Sequence, residues 1–493
     1  MNLLKRPLNP RYIASFLFLL NFIPAILLIN EGLFHFDSVV LAQAVEKTFR
    51  AGILHPAVRG RYGSVIIDYI ASFPFLYAGN NADYPLRLTS VLFHCASIVA
   101  LFLFVKELFS SRKIAAFSAL LLSFTPFYFI PNTYGKEHGM ALFFFIFSLY
   151  LLQKGLNKRS LLLLGISGIV FIFSVTVRES MIVTAPVFIL LYFNPGAATP
   201  GPKASLLRDR LKLRSLLSFF LPLFLSFLFI FISYLKNELF RALSDIGHPG
   251  SSPFLGLFSR NLSFALKDLY TFLPFMIFLF FAAGIFKLVF RRQFFLLVFL
   301  SLWGSLIFLF ANTQGYFPRY LDVVVIPIYI LASFALSGLY NKSRIAASAV
   351  LAYCLLSMFI FMFPMLRARH YFNGEKQLAL YVKERTEANA VIIAMDKAPF
   401  MEYYGKRKAL THPMLDLKKI DEFTEGLKLY LARKIPVYLI NAGVNDPENL
   451  FKDNLFNKFN VIPVGQVLTE DYYRAEMSLS PYYDILFKVE LKQ

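Results

Sequence analysis

The sequence predicts an α-helical polytopic membrane protein, with about eleven transmembrane helices followed by a small C-terminal α/β extracytoplasmic domain. Hydrophobic residues make up 57% of the 493 residues and charged residues only 16%, which is too apolar for an ordinary soluble protein. Up to about residue 365 the chain is a series of apolar runs, most of them about 17–25 residues long, the length that crosses a bilayer. Beyond that point charged residues return, and helical patterns alternate with β-rich runs.

The apolar runs give the positions of the predicted spans. These are residues 12–30, 86–108, 114–131, 138–152, 160–177, 180–193, 215–235, 271–290, 294–311, 319–340 and 345–364. The first run has a basic flank like a signal peptide, but it lacks a small-x-small cleavage site, so we interpret it as an uncleaved span. The runs at 138–152 and 180–193 are short and require tilt or local thinning of the bilayer. The stretch 66–78 is apolar but contains Asp68, and we predict an interfacial or re-entrant segment there.

Lys and Arg residues indicate the orientation of these spans. The formal net charge is +20, and the basic residues crowd into alternate gaps between the apolar runs. These gaps contain Lys5, Arg6, Arg11, Lys106, Arg112, Lys113, Lys154, Lys158, Arg159, Lys203, Arg208, Arg210, Lys212, Arg214, Lys287, Arg291, Arg292, Lys342 and Arg344. This positive-inside pattern predicts a multi-pass protein of the cell (plasma or inner) membrane, with a cytoplasmic N-terminus and everything after Met365 outside. The charge therefore indicates topology, and we expect membrane lipid, and no nucleic acid, as a partner.

Two domains follow from these patterns. Residues 1–365 form the transmembrane domain, which includes a long extracytoplasmic loop at 31–85, and residues 366–493 form the soluble domain. In the soluble domain the patterns predict helices at 374–387 and 418–433, and strands at 391–395, 436–443, 461–468 and 484–491. This order is typical of an α/β layer with a largely parallel sheet. No Gly-rich phosphate loop follows a strand, so no nucleotide site is predicted. The two cysteines, Cys95 and Cys354, lie inside spans and offer neither a disulfide framework nor a metal site.

The ionisable residues of most interest all lie on the predicted outer side. They are Asp37, Glu137, Arg178, Glu179, Arg319 and Asp322. Ionisable groups at membrane depth are costly, and they are functional candidates for that reason. A carboxylate can remove the proton of an acceptor hydroxyl, while cations can hold a phosphate and stabilise it as a leaving group. Transfer of a sugar from a lipid phosphate requires both kinds of group.

Four motifs around these residues, and one element after the last span, resemble the C superfamily of glycosyltransferases. An acidic residue and a helix ending in Gly follow the first span, at Asp37 to Gly52. Glu137 opens the fourth span, and Arg178 precedes a run that ends at Pro186. The stretch from Arg319 to Pro327 opens a late span with Arg-Tyr-Leu, and a Tyr-Tyr-Gly element stands at 403–405. The order of these motifs along the chain, and their common position on the predicted outer side, look like those of one branch of the superfamily. That branch contains the protein mannosyltransferases and the lipid A aminoarabinose transferases.

The resemblance implies an integral membrane glycosyltransferase that inverts the anomeric centre. The donor would be a polyprenyl-phosphate-linked sugar, and the acceptor a glycan, a lipid or a protein. Asp37 would be the general base and Glu137 would assist it, while Lys136, Arg178 and Arg319 would hold the donor phosphate. Further candidates are Arg59 and Arg61 for the phosphate, and His55, His138, Glu179 and Tyr320 for other contacts in the site.

The sequence departs from the family pattern at both acidic positions. Many relatives have two adjacent acidic residues in the first loop, whereas this chain has Asp37-Ser38, and Glu137 stands where Asp is usual. Both positions keep a carboxylate, but no Asp-x-Asp pair stands out as in the metal-dependent oligosaccharyltransferases. We therefore expect metal-independent transfer without a cofactor, with a divalent metal as the alternative.

Each of these residues also has a plainer interpretation. Asp37 could cap a helix, and the helix macrodipole favours an acid such as Glu137 in a first turn. Arg178 and Glu179 could form an interfacial ion pair, and Arg319 could be a snorkelling anchor. Asp322 could simply neutralise Arg319. His138 could be a plain interfacial histidine, and His55, Arg59 and Arg61 could lie in a solvated loop.

Two other classes of protein remain open at the level of sequence. A flippase or transporter for lipid-linked sugars would need polar groups at the bilayer midplane, whereas the ionisable residues here follow one face. An O-antigen polymerase or ligase typically carries its large soluble part between spans, whereas here it follows the last one.

Overall fold

The computed structural model describes residues 9–57, 61–193, 213–230, 254–313, 318–412, 417–444, 449–470 and 481–492. In the N-terminal part the helices are α1 (Pro10–Leu27), α2 (Phe36–Ala51), α3 (Tyr62–Tyr77), α4 (Asp83–Phe109), α5 (Arg112–Ser123), α6 (Pro126–Phe129), α7 (His138–Lys158), α8 (Leu161–Val177) and α9 (Ala185–Tyr192). They continue with α10 (Leu213–Ile230), α11 (Phe254–Phe272), α12 (Phe275–Phe290), α13 (Phe294–Thr313), α14 (Leu321–Lys342) and α15 (Arg344–Tyr371). In this N-terminal part, among the described residues, three short 3₁₀ turns stand at Pro131–Thr133, Glu179–Thr184 and Pro318–Tyr320.

Five of the described helices are long and apolar enough to cross a membrane, namely α1, α4, α7, α15 and α14 with the turn before it. Two bent pairs raise the number to seven if each pair is one span. The structure thus confirms a mostly helical protein with several candidate spans, and the predicted number of about eleven stays a prediction. The predicted span at 215–235 ends outside the described residues.

The two bent pairs coincide with prolines. α5 and the short turns after it meet at 67°, where Pro126 begins α6, and α11 and α12 meet at 107°, where Pro274 precedes α12. Proline cannot donate the helical hydrogen bond and clashes with the preceding turn, so the chain changes direction at these points. The predicted short run at 138–152 instead belongs to a full-length helix, because the polar residues up to Lys158 continue α7.

The segment between the first two candidate spans, which we call the first loop, folds into two helices. The side chain of His35 caps α2 by accepting a hydrogen bond from the Asp37 amide at 3.1 Å, and Gly52 ends the helix in a left-handed conformation. α3 covers the predicted interfacial stretch. It exposes apolar residues such as Ile70 and Tyr77, while Asp68 is buried. α3 therefore places its polar side toward the protein.

The C-terminal segment contains a five-stranded sheet with the order β2-β1-β3-β5-β4. The strands are β1 (Val391–Ile393), β2 (Lys408–Leu410), β3 (Val437–Ile440), β4 (Phe459–Glu470) and β5 (Pro481–Leu491). The helices are α16 (Gly374–Arg385), α17 (Ala398–Tyr403), α18 (Leu417–Ala432) and α19 (Leu450–Lys458). β1, β2 and β3 are parallel, whereas β4 and β5 are antiparallel, so the sheet is more mixed than the predicted one.

The first loop and the C-terminal segment share one apolar core. Leu41 and Val45 of α2 belong to the same buried cluster as Leu378 of α16 and Phe400 of α17. Buried polar contacts join the two segments as well, since the Tyr404 hydroxyl accepts from the Leu33 amide and donates to Asp83, both at 2.9 Å. The Tyr-Tyr-Gly element therefore binds the C-terminal segment to the base of α2 and α4.

A close helix contact in the membrane part generates a stability prediction. A Cβ added at Gly284 of α12 would lie 2.2 Å from the Leu331 carbonyl oxygen of α14, whereas one at Gly304 of α13 would meet only Pro327 at 3.9 Å. We expect Gly284→Ala to destabilise the protein by about 1–3 kcal/mol, because the backbones must move apart. Gly304→Ala is the matched control and should be neutral or stabilising. Thermal unfolding in detergent measures both, and equal midpoints would contradict the close contact.

Candidate active site

Nine charged or ionisable side chains from separate parts of the chain meet in one buried region, which we call the charged cluster. Its members are Asp37, Arg61, Lys136, Glu137, His138, Arg178, Glu179, Arg319 and Asp322, and the structure brings all of them together. Eight of these were predicted as site residues, and the ninth, Asp322, was among the ionisable residues of interest, with neutralisation of Arg319 as its plainer interpretation. Burial of so many charges is costly unless each one has a partner.

Asp37 lies in the first turn of α2 and is held by Lys136. The ammonium of Lys136 is 2.5 Å from the Asp37 carboxylate, and 3.1 Å from Nδ1 of His35. The cap of α2 is His35, so the interpretation of Asp37 as the cap is wrong. Lys136 reaches this position because Gly135 adopts φ +83°, where a Cβ would also meet Leu33 at 2.7 Å. The turn before α7 therefore aims the lysine at α2.

Arg61 joins three carboxylates. Its guanidinium lies 2.6 Å from Glu137, 3.6 Å from Asp37 and 2.9 Å from Glu179. Two of its nitrogens contact the two oxygens of Glu179, at 2.9 and 3.1 Å, which is the fork geometry that guanidinium groups favour. Glu179 is therefore the partner of Arg61, which the sequence interpretation of an Arg178–Glu179 pair did not anticipate.

A second group lies beside the first and centres on His138. Its Nδ1 is 2.9 Å from Asp322 and 2.7 Å from the guanidinium of Arg178. The guanidinium carbons of Arg178 and Arg319 lie 5.1 Å and 5.4 Å from the centre of the Tyr320 ring, within cation–π range. His138 stacks on the same ring at 6.5 Å. The Tyr320 ring thus contacts both Arg178, which follows α8, and Arg319, which lies in the turn before α14.

The charges shift the protonation of the groups at the base of α2. Burial raises the pKa of Asp37, but the charges of Lys136 and Arg61 outweigh it and hold that pKa well below its usual range. The pKa of Glu137 is likewise lowered, by Lys136 and Arg61 against burial. Burial, with Lys136 second, lowers the pKa of His35, so its Nδ1 accepts hydrogen bonds as neutral imidazole. Both carboxylates are therefore ionised at neutral pH.

Two predicted residues are not part of the charged cluster as described. His55 lies just after α2, where its backbone amide donates to Thr48 at 3.0 Å, and the described residues show no contact of its side chain with the cluster. Arg59 lies outside the described residues. Sequence reasoning missed His35, although its place two residues before Asp37 at a helix start was a usable signal. It also missed Asp68 as a neighbour of Glu137; burial, and then the Glu137 charge, raises the pKa of Asp68.

The carboxylates of the charged cluster contact protein cations. Among the described residues, no group of three His, Cys, Asp or Glu side chains is arranged to hold a metal. The carboxylates of Asp37, Glu137 and Glu179 are instead compensated by Lys136 and Arg61. A metal would have to displace these cations to reach carboxylate oxygens.

A protein-family comparison matches the part of the chain from α3 to α10. Residues 63–230, less than half of the chain, match the family described as dolichyl-phosphate-mannose-protein mannosyltransferase. This stretch contains most of the charged cluster, from Lys136 to Glu179. A comparison with curated proteins found no match.

Three solved structures show what the fold of this chain is similar to. ArnT from Cupriavidus metallidurans, bound to undecaprenyl phosphate, has a TM-score of 0.58 at 11% identity, over 97% of each chain. The oligosaccharyltransferase AglB from Archaeoglobus fulgidus, in complex with an inhibitory peptide and a dolichol-phosphate, has 0.58 at 13%, over 92% of this chain and 73% of its own. The chain has the fold of the glycosyltransferase C superfamily. The arabinofuranosyltransferase AftD from Mycobacteria has a similar fold, with a TM-score of 0.57 at 12% identity, over 99% of this chain and 40% of its own.

These findings confirm the resemblance drawn from the sequence motifs, since the matched family and the similar structures all belong to this superfamily. Sequence identities of 11–13% show a shared fold. The sugar that this chain transfers and the acceptor that receives it do not follow from the fold.

The position of Arg61 generates a prediction about stability. We expect Arg61→Met to destabilise the protein by about 3–5 kcal/mol, because it leaves three carboxylates without their shared cation. The matched control is Arg50→Met, whose side chain is 75% exposed and has one partner at 3.4 Å, and which should cost less than about 1 kcal/mol. Thermal unfolding in detergent compares the two. Similar midpoints would mean that Arg61 does not hold the charged cluster together.

Proposed function

We propose that this protein is an integral membrane glycosyltransferase, which moves a sugar from a polyprenyl-phosphate donor to an acceptor at the charged cluster. The observation that carries the proposal is the pairing of an ionised, partly accessible Asp37 with cations that can hold a phosphate, in the fold of this superfamily. ArnT and AglB, which share the fold, are bound to undecaprenyl phosphate and a dolichol-phosphate in their structures. A lipid-phosphate donor is consistent with both.

In the proposed reaction Asp37 is the general base. The oxygen or nitrogen of the acceptor attacks the anomeric carbon of the sugar, the bond from that carbon to the phosphate oxygen breaks, and Asp37 takes the acceptor proton. Glu137 shares Arg61 with Asp37 and so positions that cation. The leaving group is the polyprenyl phosphate, and direct displacement inverts the anomeric centre.

Arg178 and Arg319 are the proposed phosphate clamp. Both lie at the ring of Tyr320, so a single phosphate placed beside that ring can reach two guanidinium groups. Lys136 lies on the other side of the cluster, beside Asp37, and supplies a third positive charge. These cations stabilise the charge that develops on the departing phosphate. Because they can do so without a metal ion, we propose metal-independent transfer.

Deletion of the protein and the Asp37→Asn variant together test the proposed function. In a strain that lacks the protein, mass spectrometry should find the lipid-linked donor accumulated and one glycan, lipid or protein unmodified. The wild-type chain should restore the modification. Asp37→Asn should lower the rate by about 10²–10⁴, because it keeps the size of the side chain but not the proton acceptor. Ser38→Ala, the next residue, is the matched control. An unchanged set of envelope glycans in the deletion strain would overturn the function itself.

If Arg178 and Arg319 hold the phosphate, lysine should not replace arginine fully at either position. Arg178→Lys and Arg319→Lys should each weaken binding of a polyprenyl phosphate severalfold, because lysine keeps the charge and loses the planar fork. Arg159→Lys is the control, since this arginine follows α7 at the end away from the cluster. Titration of the lipid into purified protein in detergent measures the affinities. Equal affinity in all variants would leave Arg178 and Arg319 as interfacial anchors.

The positive-inside pattern supports an extracytoplasmic location of the charged cluster and the C-terminal segment. A reporter that is active only in the cytoplasm should be silent when it is fused after Gln493, and one active only outside should work. The reverse result would place the reaction on the cytoplasmic side.

A further inference from the structure

Three buried charged side chains lie together in the C-terminal segment, outside the charged cluster. The ammonium of Lys397 is 3.0 Å from the carboxylate of Glu375 and 3.8 Å from that of Asp484. At most 7% of each of these side chains is exposed. We call these three residues the buried trio. Burial of three charges is costly, and nothing in the proposed reaction uses them, so their role must lie elsewhere.

The buried trio joins three elements of the C-terminal segment. Glu375 lies in the first turn of α16, and Lys397 directly precedes α17. Asp484 lies in β5, and one of its oxygens accepts from the Asn441 amide at 2.8 Å. Burial lowers the pKa of Lys397, but the nearby charges, that of Glu375 first, outweigh burial and raise it. The charged lysine therefore ties the starts of α16 and α17 to each other and to the sheet.

The same two helices carry side chains that contact the first loop just before α2. At the start of α16, Asn373 donates to the Leu33 carbonyl oxygen at 3.1 Å, and Lys376 donates to the Glu31 carbonyl oxygen at 3.0 Å. Directly after α17, the Tyr404 hydroxyl accepts from the Leu33 amide at 2.9 Å. Both helices that Lys397 ties together thus bind the backbone of the first loop.

Gly32 lies between these contacts and leaves little space around the first loop. A Cβ added to Gly32 would lie 2.9 Å from Cδ of Lys376, 3.1 Å from the Tyr404 hydroxyl and 3.2 Å from the side-chain nitrogen of Asn373. Residues 31–33 therefore lie in a close-fitting socket that Asn373, Lys376 and Tyr404 form.

The first loop runs directly from this socket to the charged cluster. Two residues after Leu33, the Nδ1 of His35 accepts from the Asp37 amide and from the Lys136 ammonium, both at 3.1 Å. The backbone from Leu33 to Asp37 is too short to absorb a displacement of the socket. A misplacement of about 1 Å can cost about 10²-fold in rate, so the position of the socket matters for a general base at Asp37.

We propose that Lys397 is a positioning residue for Asp37. It holds the starts of α16 and α17 where their side chains fix residues 31–33, and His35 passes that position on to the carboxylate. The inference rests on the proposed function and deepens it, because it makes the C-terminal segment part of the machinery that positions the base. The proposed phosphate clamp of Arg178 and Arg319 lies in the membrane part, so loss of Lys397 should spare donor binding.

Two variants and a control separate positioning from a loss of stability. Lys397→Met removes the cation that Glu375 and Asp484 share. The double variant Lys397→Met/Glu375→Gln removes a carboxylate together with the cation, so the net charge of the buried trio stays as in the wild type while the tie between the helix starts is lost. Lys408→Met is the matched control, because the Lys408 ammonium lies 5.0 Å from the Tyr430 ring, as that of Lys397 does from the Tyr482 ring, but the Lys408 side chain is exposed.

Four measurements are made on each full-length protein. Thermal unfolding in detergent gives the stability, and titration with undecaprenyl phosphate gives the affinity for a lipid phosphate. Hydrogen exchange is followed at the amides of Asp37, Ser38 and Val39, all of which donate to His35. Restoration of the modification in the deletion strain gives the rate of transfer.

We expect Lys397→Met to lose both stability and transfer. The double variant should recover the stability of the wild type, yet transfer should stay about tenfold lower and the three amides should exchange about tenfold faster. Undecaprenyl phosphate should bind all proteins alike, and Lys408→Met should match the wild type throughout.

Two results would overturn the inference. One is a double variant in which transfer and exchange return to wild-type values together with stability, because Lys397 would then serve stability alone. The other is a loss of undecaprenyl phosphate binding as large as the loss of transfer. A deletion strain with unchanged glycans would count against the proposed function, while exchange at the three amides would still decide whether Lys397 positions Asp37.

Discussion

The arrangement of this protein depends on how it compensates four carboxylates, two of them buried (Glu137 and Asp322) and two half-buried (Asp37 and Glu179). Asp37, Glu137 and Glu179 share the cation Arg61, and Asp322 lies beside His138 and Arg178. A buried carboxylate without a partner costs several kcal/mol, so α2, α7 and the turn after α8 must all lie where these pairs can form. The bridge from Arg61 therefore fixes the relative positions of three elements that are distant in sequence. The same bridge limits which substitutions the site tolerates.

The second constraint is the core that α2 shares with the C-terminal segment. α2 carries Asp37 at its start and buries Leu41 and Val45 against α16 and α17. Since a helix is rigid over four turns, the packing of its far end fixes the position of the carboxylate at its start. The Tyr404 hydroxyl adds a buried polar link to Leu33 and Asp83. The C-terminal segment thus acts as part of the scaffold of the charged cluster, although it lies after the last span in sequence.

The sequence was informative where a signal is local. The apolar runs predicted the positions of most described helices of the membrane part, and the β-rich runs predicted four of the five strands. The order of the acidic and basic motifs predicted that their charged residues come together, namely Asp37, Glu137, Arg178 and Arg319. Local signals do not choose partners, so the pairing of Glu179 with Arg61 could not be predicted. The three-residue strand β2 has too little pattern of its own, and it exists because β1 offers it an edge. The antiparallel pairing of β4 and β5 likewise follows from tertiary packing rather than from either run alone.

The charge balance of the cluster bears on the order of events in the proposed reaction. Without a donor, Lys136 and Arg61 hold Asp37 ionised with a low pKa, which makes it a weak base. A donor phosphate brings new negative charge into the same buried region and competes for these cations. As they turn toward the phosphate, the burial of Asp37 is less well compensated, and its affinity for a proton rises. In the proposed reaction, donor binding and activation of the base would then be one electrostatic exchange, and the carboxylate would become an effective proton acceptor only when there is a sugar to transfer.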